Sequence, residues 1–396
     1  MSLKLTWRMM TEPDKRLLWK FAYNMGWKGM LAVNRFEKRK KKGEDTFPAF
    51  LMISVTNDCN LRCQGCWVTP SKPATTMSSE TLDRVISESK AKGSYFFGIL
   101  GGEPLMYKGL FDVLAGHPDC YFQIFTNGTL LTEDIARQMR KLGNISPLVS
   151  VEGLEKVSDE RRGGSGVYGR AIDGLTACCR EKLITGVATS VCASNFDDLV
   201  SDKFVKDLVD IGVLYVWYYI FRPVGPDPSP DLALSEEQIL ALRQFIVDSR
   251  MEHPIIVVDA YWDHEGRALC PAAVGISHHI NPAGEIEPCP PIQFAKDRVG
   301  EGFAGSFDQS GFLARFREWA SGKTRGCVLL EYPKELGTVL EEEGARDTTG
   351  RGKGLEELSA MEPRPGHHLP GKEVREKNWQ YRLAKKYWFF GFGAYG

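Results

Sequence analysis

Three cysteines fall within eight positions, Cys59, Cys63 and Cys66 in "CNLRCQGC", directly after the apolar run "FLMISV". Thiolates are soft ligands that suit zinc or iron–sulfur clusters. A closed zinc site needs a fourth ligand, usually from a second cysteine or histidine pair. None lies nearby, because the next cysteine is Cys120, at the start of an apparent buried strand. A thioredoxin-like redox pair accounts for Cys63 and Cys66 but leaves Cys59 idle. The C-x3-C-x2-C spacing makes chemical sense as three ligands of a centre whose fourth position is filled by a small molecule.

Three further segments follow at regular intervals: "GILGGEPLM" (98–106), "FTNGTLL" (125–131) and "SVEG" (150–153). A glycine pair lets backbone approach a ligand closely, and a carboxylate suits an ammonium. Each segment alone is a common turn. Their order and spacing after the triplet, one on each successive strand end, resembles the radical S-adenosylmethionine (SAM) superfamily. That resemblance implies a [4Fe–4S] cluster on Cys59, Cys63 and Cys66, with SAM on the unique iron. It implies Gly101, Gly102, Glu103 and Pro104 beside the methionyl amine of SAM, and Thr126 and Asn127 beside the cofactor. Ser150 and Glu152 are the implied ribose contacts, Glu152 standing where the family more often has Asp. Arg161 or Arg162 is the implied partner of the SAM carboxylate, and the sequence leaves that choice open.

A second cysteine set occurs in "ALCPAAVGISHHINPAGEIEPCPPIQF" (268–294), where "NPAGEI" reads as a hairpin turn between Cys270 and Cys289. The spacing resembles the opening of the SPASM and Twitch extensions of radical SAM enzymes, which hold an auxiliary iron–sulfur cluster. The dense cysteine run of the full SPASM form is missing, and only Cys327 remains downstream. At most one auxiliary cluster is therefore expected, Twitch-like, on Cys270, Cys289 and Cys327. Its fourth ligand is left as substrate, water or an unidentified side chain. His278 and His279 lie on the same hairpin and are read as structural or surface histidines. Cys120, Cys178, Cys179 and Cys192 read as small core residues.

The elements that must position these groups are legible in the alternation of the chain. Strand-like runs occupy 50–55, 95–100, 121–126, 146–151, 186–192 and 214–221. Helical patterns such as "SSETLDRVISESKAKG", "TEDIARQMRKLG" and "NFDDLVSDKFVKDLVDIG" separate them, opening on Ser, Thr or Asn and closing near Gly. Six β/α units predict an α/β fold, a parallel sheet curled into a partial (β/α)6 TIM-like barrel with chemistry on the C-terminal strand ends. Trp217, Tyr218 and Tyr219 on the sixth strand alternate in and out, so one or two of them are expected to wall the pocket. The expected organisation is a basic amphipathic helical segment (1–49), a radical SAM core (50–260), a SPASM/Twitch-like region (261–336), a polar linker or loop (337–371) and an aromatic, basic tail (372–396).

The 396 residues carry a net charge near −1, with 43% hydrophobic and 26% charged residues. Such a balance suits a globular chain and gives no general attraction to nucleic acid. No run reaches eighteen apolar residues, so a membrane span is not expected. The N-terminus lacks the apolar core of a secretory signal, which favours a cytoplasmic location and metal or redox use of the ten cysteines. Residues 15–42 place Leu18, Phe21, Ala22 and Met25 on one helical stripe among many Lys and Arg, and "NWQYRLAKKYWFFGFGAYG" (378–396) repeats the mixture. Either these ends pack on the barrel or they lie on the inner face of an anionic membrane.

The resemblance implies an enzyme that takes one electron from a donor such as flavodoxin or ferredoxin and cleaves SAM reductively to a 5′-deoxyadenosyl radical. The radical then removes hydrogen from a substrate. Peptide or protein modification is the first expectation. A lipid or other small-molecule intermediate at the membrane surface is the second, and a non-catalytic iron–sulfur or zinc scaffold the third.

Overall fold

The computed structural model describes residues 3–44 and 47–387. Residues 388–396 of the expected aromatic tail lie outside the described residues. Six strands form where the alternation predicts them: β1 (Phe50–Ser54), β2 (Phe96–Leu100), β3 (Tyr121–Thr126), β4 (Ile145–Ser150), β5 (Gly186–Val191) and β6 (Tyr215–Ile220). They pair in parallel in sequence order, and a seventh, β7 (Ile256–Asp259), adds to β6. Parallel neighbours need crossovers, and helices such as Ser79–Ala91, Val167–Arg180 and Glu236–Glu252 supply them. The sheet is the partial TIM-like barrel expected from the sequence.

Local chemistry sets the helix ends. Ser78, Thr132, Ser201 and Ser235 accept backbone N–H bonds as N-caps, and Gly143 and Gly212 close helices in the left-handed region. The single helix expected over 195–212 is two, Phe196–Leu199 and Asp202–Ile211. Ser201 is the reason: it is extended, and its hydroxyl caps the second helix through Phe204 N.

The C-terminal third departs from the sequence reading. The hairpin β8 (Ser277–Ile280) and β9 (Glu285–Glu287) turns at "NPAGEI" as expected, with Gly284 at φ +79°. β8, however, pairs in parallel with β1, matching Phe50 to Ser277 and Ile53 to Ile280. The hairpin thus extends the barrel sheet rather than hanging from it as a separate appendage. Two short strands, β10 (Phe294–Ala295) and β11 (Asp297–Arg298), follow, and β11 pairs with β9. Residues 337–371, read as a linker or loop, hold the end of helix Pro333–Glu342, β12 (Arg346–Asp347) paired with β10, and helix Gly354–Ala360. Leu340 and Leu358 are buried there, an apolar content hidden in the sequence by its glycines and charges.

The N-terminal segment forms helices Leu3–Thr11, Lys15–Lys20 and Lys28–Lys42, joined by a π-helical stretch at Phe21–Trp27. Of the expected stripe Leu18, Phe21, Ala22 and Met25, only Met25 is fully buried; Leu17 before the wider turn and Ala32, Val33 and Phe36 after it complete the buried face. Ala22 is exposed, whereas Phe21 packs edge-on against Tyr121 at 5.4 Å. These helices cover the starts of the strands at Phe50, Phe96 and Tyr121. Trp7, Trp19, Tyr23 and Trp27 remain largely exposed on the outside. Among the described residues, no helix is long and apolar enough to cross a membrane.

The chain end is tied back by charge. Asp259, at the end of β7, pairs with Arg243, Arg250 and Lys385, and Arg250 also pairs with Glu376, all with buried side chains. Burial opposes the charge on Asp259, but Lys385, Arg250 and Arg243 outweigh it and hold its carboxyl well below the usual carboxylate range.

Candidate functional site

Strands β1 to β6 and the loops after β1, β2, β3, β4 and β6 converge on one cavity of about 430 Å³. Cys59, Cys63 and Cys66 line it from the loop after β1. Burial pushes the Cys66 thiol up to about 11 and also raises Cys59. The bare thiols of Cys59 and Cys66 therefore hold their protons, and a bound metal would have to displace them. Leu61 N donates to Cys59 Sγ at 3.4 Å, and Arg162 Nη1 to Cys63 Sγ at 3.6 Å. Burial works against the charge of Arg162, yet Cys63 and Glu152 beside it hold its pKa above the ordinary value. A soft three-sulfur set with a buried cation against it fits an anionic iron–sulfur centre.

The second strand end is tied to the first. Gly102 N donates to Thr56 O at 2.7 Å and Glu103 N to Asp58 O at 2.8 Å, so "GGEP" is laced to the cysteine loop. A Cβ on Gly101 would lie 2.3 Å from Thr56 O, and one on Gly102 2.0 Å from Asp58 O. The glycines permit contact with protein backbone, while also lining the cavity. Glu103 is fully buried, and its carboxylate accepts from Leu105 N, Thr126 Oγ1 and Asn127 N at 3.0, 2.7 and 2.8 Å. Burial raises its pKa, with these donors pulling the other way. With three donors on its oxygens, Glu103 braces the strand ends, and one acceptor position of the carboxylate is left over.

The remaining sequence-predicted residues gather on the wall. Thr126, Asn127, Ser150, Glu152, Arg161 and Arg162 all line the cavity. Asn127 Nδ2 donates to Asn60 Oδ1 at 2.8 Å, fixing the third strand end against the cysteine loop. Glu152 pairs with Arg162 at 2.9 Å and accepts from Ser190 N at 2.9 Å. Arg161 donates to Gln64 O at 3.0 Å and stacks over Phe221 at 5.1 Å. The Nε groups of both arginines are buried without a partner among the described residues, which fits an anionic group such as a carboxylate. Trp217 and Tyr219 face inward beside Phe125, whereas Tyr218 points away and donates to Leu199 O.

The same cavity reaches Cys270, Cys289 and Cys327. Burial raises Cys270 to about 11 and pushes Cys289 well above the ordinary thiol value, with Cys327 adding to both and Cys270 to Cys289. Arg222 Nε donates to Cys327 Sγ at 3.3 Å and Nη1 to Tyr261 Oη at 3.1 Å. His278 lines the cavity with Nδ1 3.0 Å from Pro288 O, while His279 is held by Glu287 and Ser54. Burial lowers His278 to about 3. Arg222 and His367 also line the cavity and escaped the sequence reading. Arg222 follows an apolar strand without a motif, and His367 sits in the stretch read as a linker.

These features define an α/β partial barrel with a cysteine-bearing first loop and a second cysteine set in reach of one cavity. Residues 53–199 match the Radical SAM superfamily, and the chain carries a radical SAM domain. That superfamily uses a [4Fe–4S] cluster and SAM. The chain is 28% identical over 178 residues to the sporulation killing factor maturation protein SkfB of Bacillus subtilis, covering 44% of this chain and 42% of SkfB. It is 28% identical over 190 residues to an Fe-coproporphyrin III synthase of Methanosarcina barkeri, covering 47% and 48%. It thus spans about half the length of the curated relatives it matches. The fold is similar to that of Streptococcus suis SuiB bound to S-adenosylmethionine, with TM-score 0.61 and 16% identity over 71% of this chain and 70% of SuiB.

Proposed function

We propose that this chain is a radical SAM enzyme that abstracts hydrogen from a peptide. The observation that carries this reading is the single cavity joining Cys59, Cys63 and Cys66 to an inward aromatic wall and to the second cysteine set. When bound, the cluster and SAM supply an electron and a 5′-deoxyadenosyl radical able to remove an unactivated hydrogen. The protein's own contribution is placement and the exclusion of water. Cys59, Cys63 and Cys66 hold the metal, and Asn60–Asn127 and the "GGEP" backbone fix their loop. Arg162, oriented by Glu152, sets positive charge beside Cys63, and Arg161 and Arg162 keep N–H groups for the carboxylate of SAM. Phe125, Trp217 and Tyr219 provide a dry wall on the substrate side. Cys270, Cys289 and Cys327 are read as ligands of one auxiliary iron–sulfur cluster, with Arg222 balancing its charge.

Peptide is favoured as substrate because SkfB is named for maturation of a killing factor, and SuiB has been crystallised with the precursor peptide SuiA. After anaerobic reconstitution and dithionite reduction, the chain should convert SAM to methionine and 5′-deoxyadenosine, and Cys59→Ala should abolish this. An intact cluster without SAM cleavage sinks the enzyme reading in favour of a scaffold. A second reading, a lipid substrate met at a membrane surface, is favoured by exposed Trp7, Trp19, Trp27 and Trp379 amid basic helices. Vesicles containing anionic lipid separate the two, since the peptide reading needs no flotation with them.

A further inference from the structure

The three thiols of the second set leave a fourth ligand to be found. Each sulfur is already approached by donors: backbone N–H groups of Ala272 and Ala273 on Cys270, that of Ile292 on Cys289, and Arg222 on Cys327. His367 lines the same cavity and is 2% exposed. Its Nε2 lies 2.9 Å from Leu269 O, beside Cys270. A carbonyl only accepts, so Nε2 carries the proton and Nδ1 of the neutral ring offers a lone pair. Nδ1 is buried and has no hydrogen-bond partner among the described residues. An imidazole with one nitrogen donating to a backbone carbonyl and the other left bare is the arrangement a metal-bound histidine adopts.

The backbone around His367 is clamped to both cysteine neighbourhoods. Arg364 N donates to Leu330 O at 2.8 Å, and His368 Nδ1 lies 2.9 Å from Thr324 Oγ1, so the segment runs along the chain that bears Cys327. Trp262 Nε1 donates to His367 O at 3.1 Å, and the His367 ring packs 4.8 Å from that of Tyr261. The ring is thereby wedged between the flanks of Cys270 and Cys327, with its rotation stopped on one side by the Leu269 bond.

We propose that His367 Nδ1 is the fourth ligand of an iron–sulfur cluster held by Cys270, Cys289 and Cys327. This rests on the reading that those three thiols bind a cluster. A centre with four protein ligands has no open iron for substrate, so its place is in moving electrons to or from the cavity rather than in binding the molecule that reacts. Replacing one thiolate by neutral imidazole also removes a negative charge, which favours the reduced state relative to a four-cysteine centre.

The test uses the full chain carrying Cys59→Ala, Cys63→Ala and Cys66→Ala, so that only the second set can load. After anaerobic reconstitution with iron and sulfide, metal and sulfide analysis should give one cluster per chain. Pulsed electron paramagnetic resonance of the reduced protein should show coupling to a nitrogen that changes isotope when histidine is supplied as the 15N form. His367→Cys should keep the iron and lose that coupling, and His368→Ala should retain both. A cluster that forms without histidine coupling, or whose coupling survives His367→Cys, overturns the assignment of His367 alone. Zinc without sulfide, or no metal, overturns the underlying cluster reading as well.

Discussion

Replacing Gly102 by alanine should disable the first cysteine loop without touching a cysteine. The added methyl would lie 2.0 Å from Asp58 O and 2.5 Å from Asp58 C, where real Cβ contacts stay beyond about 3.0 Å. Both atoms are backbone, so no side chain can swing aside, and the loop must recede by about 1 Å. Gly102 does not have a positive φ, so alanine adds no torsional strain and the effect isolates the clash. Recession breaks or lengthens two backbone bonds, each worth about 1 kcal/mol net, and overpacking of this kind costs about 1–3 kcal/mol. Asp58 directly precedes Cys59, so the displacement reaches the first ligand. A misplacement of about 1 Å at a reacting centre lowers rate by roughly 100-fold. Iron content after reconstitution and the rate of 5′-deoxyadenosine formation should both fall, with far-ultraviolet dichroism near that of the parent. A G102A protein with parental iron content and parental rate would refute the steric argument.

Two other perturbations address the charges. Arg162→Met removes the cation beside Cys63 and leaves Glu152 without its ion partner, so affinity for SAM, measured calorimetrically, should weaken by roughly ten-fold or more, each lost charge-assisted bond being worth about 1.5–3 kcal/mol; Arg162→Lys should recover part of it. The folded-state pKa of Asp259 lies below its unfolded value, so its ion cluster stabilises the chain above about pH 4 and that stability is lost as pH falls further. Hydrogen exchange of helix Trp379–Tyr387, which Lys385 anchors, should accelerate in that acid range, and Asp259→Asn should produce the same loosening at neutral pH.

Legibility of the sequence followed how local the determining physics was. Six strands were readable because each is a compact β-branched or aromatic run between capped helices, and the cysteine triplet because ligand spacing is carried by one loop. β7 was not, being four residues directly after a long helix. The π-helical stretch at Phe21–Trp27 kept only part of the amphipathic stripe, Met25 and Phe21, against the barrel, since a wider turn cannot be read from a period of 3.6. Glu103 shows what residue type alone leaves out at the site: its carboxylate also accepts from three protein donors that tie the second strand end to the third. His367 was hidden because its neighbours are brought together only by the folded path of 324–331 and 364–368.

The pairing of β8 with β1 has a consequence for the order in which the molecule assembles. Phe50 emerges early in synthesis, but its partner Ser277 follows only after almost the whole barrel has been made. Until then β1 is an open edge, ready to pair with another chain. Contacts between such distant parts of the sequence slow folding. The interval in which the first cysteine loop rests on an unfinished sheet is therefore long. Metal delivered before β8 docks would meet a loop with one supporting strand missing, so loading after synthesis should give the better-formed centre.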